Sequence, residues 1–279
     1  MDIKILNGVS TKVITDVFNL SFSDYFIPFK LTEQQMADKM EADKTDLNLS
    51  VGVFENDILI GFILHGKDSI NGKNLLYNGG TGVIPSKRGH GLTKKMYSFI
   101  LPILKENDID SLILEVISNN VQAIKSYEQS GYKKVRTLAC YKGDLKPLKI
   151  NNSIEIKALN QYNWDIMELF WDITPTWQVS KKVLDKLLET HVSFGAFKEN
   201  KLIGYCIYNS KNNRIQHLAV AKSYRKDKIA STLLSRISKI YGNTISIINI
   251  DKSSKPMLQF FENIGLEDYL EQLEMKLDL

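Results

Sequence analysis

The chain contains an internal repeat whose period is about half of its 279 residues. The matching segments occur in the same order in both halves, and the first pair is a charged turn between two short apolar runs, as in a β-hairpin. Residues 55–62, 83–88 and 126–132 match residues 199–205, 220–225 and 260–266. A repeat of this length is the size of a domain, and solenoid repeats are much shorter, so the sequence predicts a duplicated domain.

The repeat divides the chain into two predicted domains, residues 1–145 and 152–279. The connecting segment, 143–153, contains Gly143, Pro147 and Ser153 among other turn-forming residues, which suits a connection on the surface. Each half has the length of a typical domain, about 100–200 residues, and can bury a core of its own.

Strand patterns and helix patterns alternate within each half. In the first half the predicted strands cover residues 3–6, 49–54, 58–67, 75–84, 111–117 and 132–141, and the predicted helices cover 11–21, 32–42, 91–107 and 121–129. Blocks of strands interleaved with helices predict an α/β fold of the mixed α+β kind.

The composition excludes several classes of protein. The chain is 43% hydrophobic and 24% charged, with a mean hydropathy of -0.18, which excludes disordered, collagenous and coiled-coil chains. The formal net charge of +4 is spread along the chain, so nucleic acid is not expected as a partner. Apolar runs such as 99–104 are too short to span a membrane, and the start has no secretory signal. We therefore expect a cytoplasmic protein without membrane contact.

The cysteines and histidines do not form a metal-binding pattern. Cys140 and Cys206 lie one in each half, in apolar strand contexts, and no histidine stands at zinc-finger spacing from them. The sequence predicts two reduced core cysteines and no metal site.

The segment that follows the predicted strand 75–84 has the features of a phosphate-binding loop. Gly89 and Gly91 precede the predicted helix 91–107. Backbone N–H groups at a helix N-terminus attract anions, and glycines allow a phosphate to approach the backbone closely. A tight connection that binds nothing would explain two glycines in isolation equally well.

A second segment, 114–132, helps to decide whether the glycine loop binds a phosphate. Together the two segments resemble the GNAT superfamily of acetyl-CoA-dependent N-acetyltransferases, whose signature is Arg/Gln-x-x-Gly-x-Gly/Ala followed by a helix with Asn-x-x-Ala-x-x-x-Tyr-x-x-x-Gly. Arg88, Gly91 and Thr93 occupy the first pattern, although Thr93 replaces the small residue expected there. The second pattern is occupied by Asn120, Ala123, Tyr127 and Gly131.

The resemblance implies two tandem GNAT-like domains, each a mostly antiparallel mixed sheet flanked by helices. It also implies acetyl-CoA as the cosubstrate, bound by the first domain without a metal. The expected cofactor-binding residues are Val83, Arg88, Gly89, His90, Gly91, Leu92, Thr93, Asn120 and Tyr127. His90 is not expected to be catalytic, because the variable positions of such a loop face solvent or the phosphates.

The reaction needs a neutral amine, a stabilised oxyanion and a proton for the departing thiolate. The first half is similar in particular to the ribosomal-protein alanine acetyltransferase branch, which implies Glu115 as general base and Tyr127 as general acid. A backbone N–H near Val83 is the candidate for polarising the carbonyl. Two structural alternatives stay open: Glu115 as an edge carboxylate paired with a lysine, and Tyr127 as a half-buried aromatic on an amphipathic helix.

The second half has lost these residues. Lys228 replaces the loop glycine, Phe261 replaces the tyrosine, and Asn249 falls at the position of the glutamate. Phenylalanine cannot donate a proton and an amide is a poor base, so the second domain is expected to be noncatalytic. The loop lysines leave anion binding open there.

The acceptor is expected to be an amine-bearing small molecule or the N-terminus of a peptide or protein. The second domain could line an acceptor pocket, stabilise the first domain or associate into a homodimer. The alternative function is an acyl-CoA-binding sensor without turnover.

Overall fold

The computed structural model describes residues 1–25, 30–70 and 72–279. The strands are β1 (Asp2–Ile5), β2 (Val51–Glu55), β3 (Ile58–Ile70), β4 (Lys73–Val83), β5 (Ser111–Ile117), β6 (Lys133–Asp144), β7 (Glu155–Ala158), β8 (Val192–Lys198), β9 (Lys201–Asn209), β10 (Arg214–Val220), β11 (Thr244–Asp251) and β12 (Glu267–Asp278). The helices are α1 (Thr11–Ser21), α2 (Glu33–Ala42), α3 (Leu92–Glu106), α4 (Val121–Gln129), α5 (Trp164–Met167), α6 (Lys181–Lys186), α7 (Ile229–Tyr241) and α8 (Lys255–Asn263).

The chain packs as two compact units whose division differs from the predicted boundary. The first unit is Met1–Val135 together with Leu273–Leu279, and the second is Arg136–Gln272. The predicted connection at 143–153 lies inside the second unit, because β6 pairs along most of its length with β11. The C-terminal residues lie in the first unit, where the Leu279 N–H donates to the Asp110 carbonyl at 2.9 Å.

The sheet of the first unit has the order β1-β2-β3-β4-β5, with the last part of β12 beside β5. The pairs from β1 to β4 are antiparallel, and β4 and β5 are parallel. This parallel pairing is short: it ends at Tyr77 opposite Ile113, although both strands continue. A gap therefore opens between β4 and β5 at their carboxyl ends.

Two hydrophobic cores lie on the two faces of this sheet. Neighbouring residues of a strand point to opposite faces, and on β3 Phe62 packs with α1 and α2 whereas Ile63 packs with α3. Helix α2 begins with a capping box in which Thr32 and Gln35 satisfy each other's backbone N–H. The predicted mixed architecture, a mostly antiparallel sheet flanked by helices, is confirmed.

The second unit repeats this plan. Its sheet has the order β6-β11-β10-β9-β8-β7, antiparallel except for the short parallel pair β10–β11. The hairpin turns also match: Asn56 and Asp57 have φ angles of 51° and 61°, and Glu199 and Asn200 have the same two values. The duplication predicted from the sequence is therefore also visible in the backbone conformation of the two units.

Several predicted boundaries change. The predicted helix 11–21 has the same bounds as α1, whereas the predicted strand 58–67 continues to Ile70. The strand segment predicted at 132–141 begins one residue later and continues to Asp144 as β6. No helix in the described ranges is long and apolar enough to cross a membrane.

Candidate functional site

The gap between β4 and β5 is the centre of the candidate site. The Ile84 N–H donates to the Ile60 carbonyl of β3 at 3.0 Å. In an antiparallel pair, successive N–H groups point alternately to the partner strand and to the opposite edge, so the Val83 N–H points away from β3. It therefore faces the gap, where it can donate to the carbonyl oxygen of a ligand.

The loop between β4 and α3 contains two residues in the left-handed region. Gly89 has φ 82° and Gly91 has φ 66°, and Gly91 is the residue that precedes α3. A Cβ added to either glycine would meet no heavy atom within 4 Å. The glycines thus serve the backbone conformation and leave space in front of the first N–H groups of α3, which suits an anion.

The other loop residues divide into exposed and anchoring positions. His90 is exposed, Thr93 is half-buried, and Leu92 is buried in the core with α3. The side chain of Leu92 therefore fixes the start of the helix, and only its backbone can face a ligand.

Arg88 is directed away from the loop N–H groups. Its guanidinium donates to both carboxylate oxygens of Asp24 at 2.7 and 2.9 Å, to the Ser21 carbonyl at 2.7 Å and to the Val83 carbonyl at 3.1 Å. This hydrogen bonding holds the pKa of Asp24 below its ordinary value. Arg88 was expected to bind the cofactor. With these contacts it would contribute to cofactor binding indirectly, by holding the loop against the end of α1.

Asn120 is the N-cap of α4. Its side-chain oxygen accepts the Ala123 N–H at 3.1 Å, and its amide nitrogen lies 3.5 Å from the Tyr25 hydroxyl. The first of these contacts satisfies one of the free N–H groups at the helix start. Asn120 therefore sets where α4 begins, and with it the position of Tyr127.

Tyr127 is buried on α4, with 9% of its surface exposed. Its ring makes edge contacts with Tyr97 and Tyr132, at centroid distances of 6.4 and 5.7 Å. Burial raises the pKa of Tyr127 to about 12, an effect that a hydrogen bond to Thr81 partly opposes. The side chain is therefore a neutral phenol with a proton to donate throughout the physiological range.

A polar network beneath Tyr127 was not apparent from the sequence. The Asn78 amide nitrogen donates to Thr81 Oγ1 at 2.7 Å and to the Tyr97 hydroxyl at 2.9 Å, while its oxygen accepts the Gly80 N–H. Because Thr81 Oγ1 accepts from Asn78, its own proton is available for the Tyr127 oxygen. The Tyr127 proton can then point to the gap.

Glu115 lies on β5 where the two strands separate. Its Oε2 accepts the Tyr77 hydroxyl at 2.6 Å. Its neighbours Leu114 and Val116 pack into the core that contains Tyr127, so Glu115 faces the other side of the sheet. The structure thus places Glu115 and Tyr127 on opposite faces of the sheet.

The corresponding loop of the second unit keeps its shape without glycine. Lys226 and Lys228 have φ angles of 67° and 62°, and Lys228 precedes α7 as Gly91 precedes α3. Arg225 also follows the pattern of Arg88, since its Nε donates to the Val220 carbonyl at 3.2 Å.

The expected catalytic positions of the second unit carry inert groups. Phe261 is buried on α8, and Asn249 is buried on β11. The Asn249 amide donates to Thr176 Oγ1 at 3.2 Å and accepts from Gln272 Nε2 at 2.7 Å. These contacts hold Asn249 in place and leave no acid or base at either position.

A family model described as "Acetyltransferase (GNAT) family" matches residues 14–132 and 157–266. The two matches fall on the two copies of the repeat and together cover most of the chain. No curated protein sequence matches this chain significantly.

Solved structures with the same fold span the whole chain. A tandem GNAT protein from the clavulanic acid biosynthesis pathway is 10% identical with a TM-score of 0.73, covering 99% of this chain and 98% of its own. A GCN5-related N-acetyltransferase from Sphaerobacter thermophilus is 14% identical with a TM-score of 0.70, covering 99% and 95%. A GNAT-family acetyltransferase from Colwellia psychrerythraea is 14% identical with a TM-score of 0.60, covering 100% of both chains.

Proposed function

Since the chain belongs to the acetyltransferase (GNAT) family, we propose that it is an N-acetyltransferase whose first unit transfers the acetyl group of acetyl-CoA to a primary amine. The observation that carries the proposal is the buried, neutral Tyr127 hydroxyl beside a strand gap that opens next to a glycine loop at a helix start. The second unit is proposed to be noncatalytic, because Phe261 and Asn249 provide neither a proton donor nor a base.

Each step of direct transfer has a group to perform it. The pyrophosphate of acetyl-CoA would lie at the N–H groups of α3, with the thioester in the gap. Glu115 takes a proton from the amine, directly or through water, and the Val83 N–H donates to the carbonyl oxygen as negative charge develops there. The new C–N bond forms as the C–S bond breaks, and Tyr127 gives its proton to the departing thiolate.

The acceptor is proposed to be an amine-bearing small molecule or the N-terminus of a peptide or protein. The resemblance to the ribosomal-protein alanine acetyltransferase branch makes a peptide with N-terminal alanine the first to assay. The test is release of coenzyme A thiol with a panel of such amines, with the acetylated product identified by mass spectrometry. If none of the amines increased the rate of thiol release above the rate without amine, the proposed acetyl transfer to an amine would be contradicted.

Replacing Gly91 by Glu is expected to weaken coenzyme A binding at the first unit by at least about tenfold. The new side chain places bulk and negative charge where the pyrophosphate is proposed to lie, in a space that is now open. Isothermal titration calorimetry measures the change in Kd.

Gly8→Glu is the matched control for Gly91→Glu. Gly8 also has a left-handed φ, 83°, and an added Cβ there also meets nothing within 4 Å. It therefore carries the same backbone strain without the proposed phosphate contact. Equal affinity of the parent and Gly91→Glu would show that the pyrophosphate site is elsewhere.

Replacing Glu115 by Gln is expected to abolish the acidic limb that Glu115 contributes to the pH–rate profile, and to lower kcat/KM by about 10²-fold or more. An amide occupies the same volume but cannot accept the ammonium proton. Glu128→Gln is the control, because Glu128 is an exposed carboxylate on the neighbouring helix α4. An unchanged acidic limb in Glu115→Gln would assign the base to another group or mean that the amine reacts already deprotonated.

A further inference from the structure

A cavity of about 590 Å³ lies inside the second unit, between β10 and β11. The register of these strands pairs Arg214 with Ser246 and Ile215 with Ile247, and beyond Ile247 the described residues separate. The start of α7, helix α8 and the segment 170–179 line its other sides. This cavity has the same place in the second unit as the β4–β5 gap has in the first.

The walls of the cavity are mostly apolar. They include the side chains of Phe170, Trp171, Ile250, Met257, Phe260 and Phe261. A cavity of this size can enclose a drug-sized ligand, and apolar walls favour a ligand whose enclosed part is itself apolar.

The histidine in these walls is already fully hydrogen-bonded. Trp171 Nε1 can only donate, and it donates to the Tyr205 hydroxyl, which leaves the Tyr205 proton for His217 Nδ1 at 3.0 Å. The His217 ring also hydrogen-bonds to the Val179 backbone, and burial lowers the pKa of His217 to about 4. The imidazole is therefore neutral and has no free nitrogen with which to take a proton from a bound molecule.

Two cations stand at the mouth of the cavity. Lys226 and Lys228 both line it and are exposed, and in the described part of the chain neither has a carboxylate within ion-pair distance. Arg225, by contrast, is paired with Asp172 at 2.8 Å. Both lysines hold a left-handed φ that is unfavourable for a residue with a Cβ. This conformation keeps the N-terminus of α7 open, as the glycines do before α3.

We propose that this cavity is a second ligand site, which binds a coenzyme A thioester with an acyl chain longer than acetyl and holds it without reaction. Lys226, Lys228 and the first N–H groups of α7 bind the phosphates, and the acyl chain lies among the apolar walls. Because Phe261 and Asn249 provide neither a general acid nor a general base, and the His217 ring is already hydrogen-bonded, the thioester is retained and not transferred. The site lies within the second unit and is independent of the acetyl-transfer site proposed in the first.

The test is calorimetric titration of the full-length Gly91→Glu chain, in which the first loop is blocked, with octanoyl-CoA, acetyl-CoA and coenzyme A. One site per chain is expected, with octanoyl-CoA at least about tenfold tighter than acetyl-CoA, because each added methylene is buried. Adding Lys228→Glu is expected to weaken octanoyl-CoA binding by at least about tenfold. Lys222→Glu is the matched control, since Lys222 is exposed on the same connection but does not line the cavity.

Lys228→Gly separates the charge from the backbone conformation. Glycine accepts the left-handed φ without strain, so this variant is expected to melt no lower than the parent and still to bind octanoyl-CoA more weakly. No binding to the Gly91→Glu chain, equal effects of Lys222→Glu and Lys228→Glu, or equal affinity for coenzyme A and octanoyl-CoA would each overturn the proposal. Two sites that persist in Gly91→Glu would instead count against the pyrophosphate site proposed for the first unit.

Discussion

Tyr127→Phe is expected to lower kcat by about 10²–10⁴-fold while the Kd for acetyl-CoA stays within about twofold of the parent. The substitution removes only the hydroxyl, and the remaining ring keeps its edge contacts with Tyr97 and Tyr132. Loss of the proton donor then slows the departure of the thiolate without changing how the cosubstrate is held. Steady-state kinetics and calorimetry on the same preparation separate the two effects.

Tyr132→Phe is the matched control for that experiment. Tyr132 belongs to the same ring cluster, and its hydroxyl lies 3.2 Å from the Tyr97 hydroxyl. Removing the Tyr132 hydroxyl disturbs the hydrogen bonding of the ring cluster but leaves the proposed proton donor, Tyr127, in place. We therefore expect kcat to fall far less than in Tyr127→Phe. A full-rate Tyr127→Phe enzyme would mean that solvent protonates the thiolate.

The pH dependence of the parent provides a second check on Tyr127. A general acid works only while it is protonated, and burial raises the pKa of Tyr127 to about 12. The donor is therefore present at every pH below about 11, and kcat is not expected to decline through loss of this proton in the range usually assayed.

The repeat, the mixed fold and the motif residues of the first half were predictable because each is indicated by local sequence patterns. The predicted helix 11–21 carries its apolar face and its Ser10 cap within one segment, and the left-handed glycine before α3 is visible from Gly91 alone. The same local patterns indicated Tyr127 and Glu115 through the resemblance of 114–132 to a known family.

The polar partners of these residues were not predictable. Thr81 and Asn78 come to Tyr127 through the bulged register of β3 and β4, in which the pairing shifts between Leu64 and His65. Arg88 bonds to Asp24, far away in the sequence, and no local signal links the two. Contacts set by register and by long-range packing require the folded chain.

The loop of the second unit shows a different limit of sequence reasoning. The replacement of the loop glycine by Lys228 indicated a degenerate copy and left anion binding open, but it did not indicate the backbone conformation of the loop, because most residues avoid a left-handed φ. The structure retains the left-handed backbone with lysines in place. Residue identity showed the loss of catalytic groups, whereas it did not show that the shape of the site persists.

The position of the C-terminal strand was also hidden. Apolar alternation along 267–278 predicts a strand, but it does not specify which sheet the strand joins. In the structure Met275 and Leu277 lie in the core of the first unit with Tyr127 and Tyr132, and an added Cβ on Gly131 would come within 2.9 Å of Leu277 Cδ1. The end of the chain therefore helps to support the helix that carries the proposed acid.

Deleting Leu273–Leu279 is accordingly expected to unfold the first unit and to abolish acetyl transfer. Met275 is fully buried, and truncating one large buried side chain to alanine costs about 2–5 kcal/mol. The deletion removes two such side chains and the strand beside β5, a loss comparable to the whole stability of a domain, about 5–15 kcal/mol. Hydrogen exchange should show loss of protection in β5 and α4, and a fragment of residues 1–145 should be unstable for the same reason.

Point variants on β12 test whether the strand belongs to the core of the first unit even if the deletion variant aggregates. Met275→Ala is expected to destabilise the first unit by about 2–5 kcal/mol. Lys276→Ala, at the next residue, removes only an ion pair with the exposed Asp278 and is expected to change stability by less than about 0.5 kcal/mol. Denaturant unfolding measures both, with acetyl-transfer activity as the readout for the first unit. If the two variants unfolded at the same denaturant concentration, Met275 could not belong to the core that positions Tyr127.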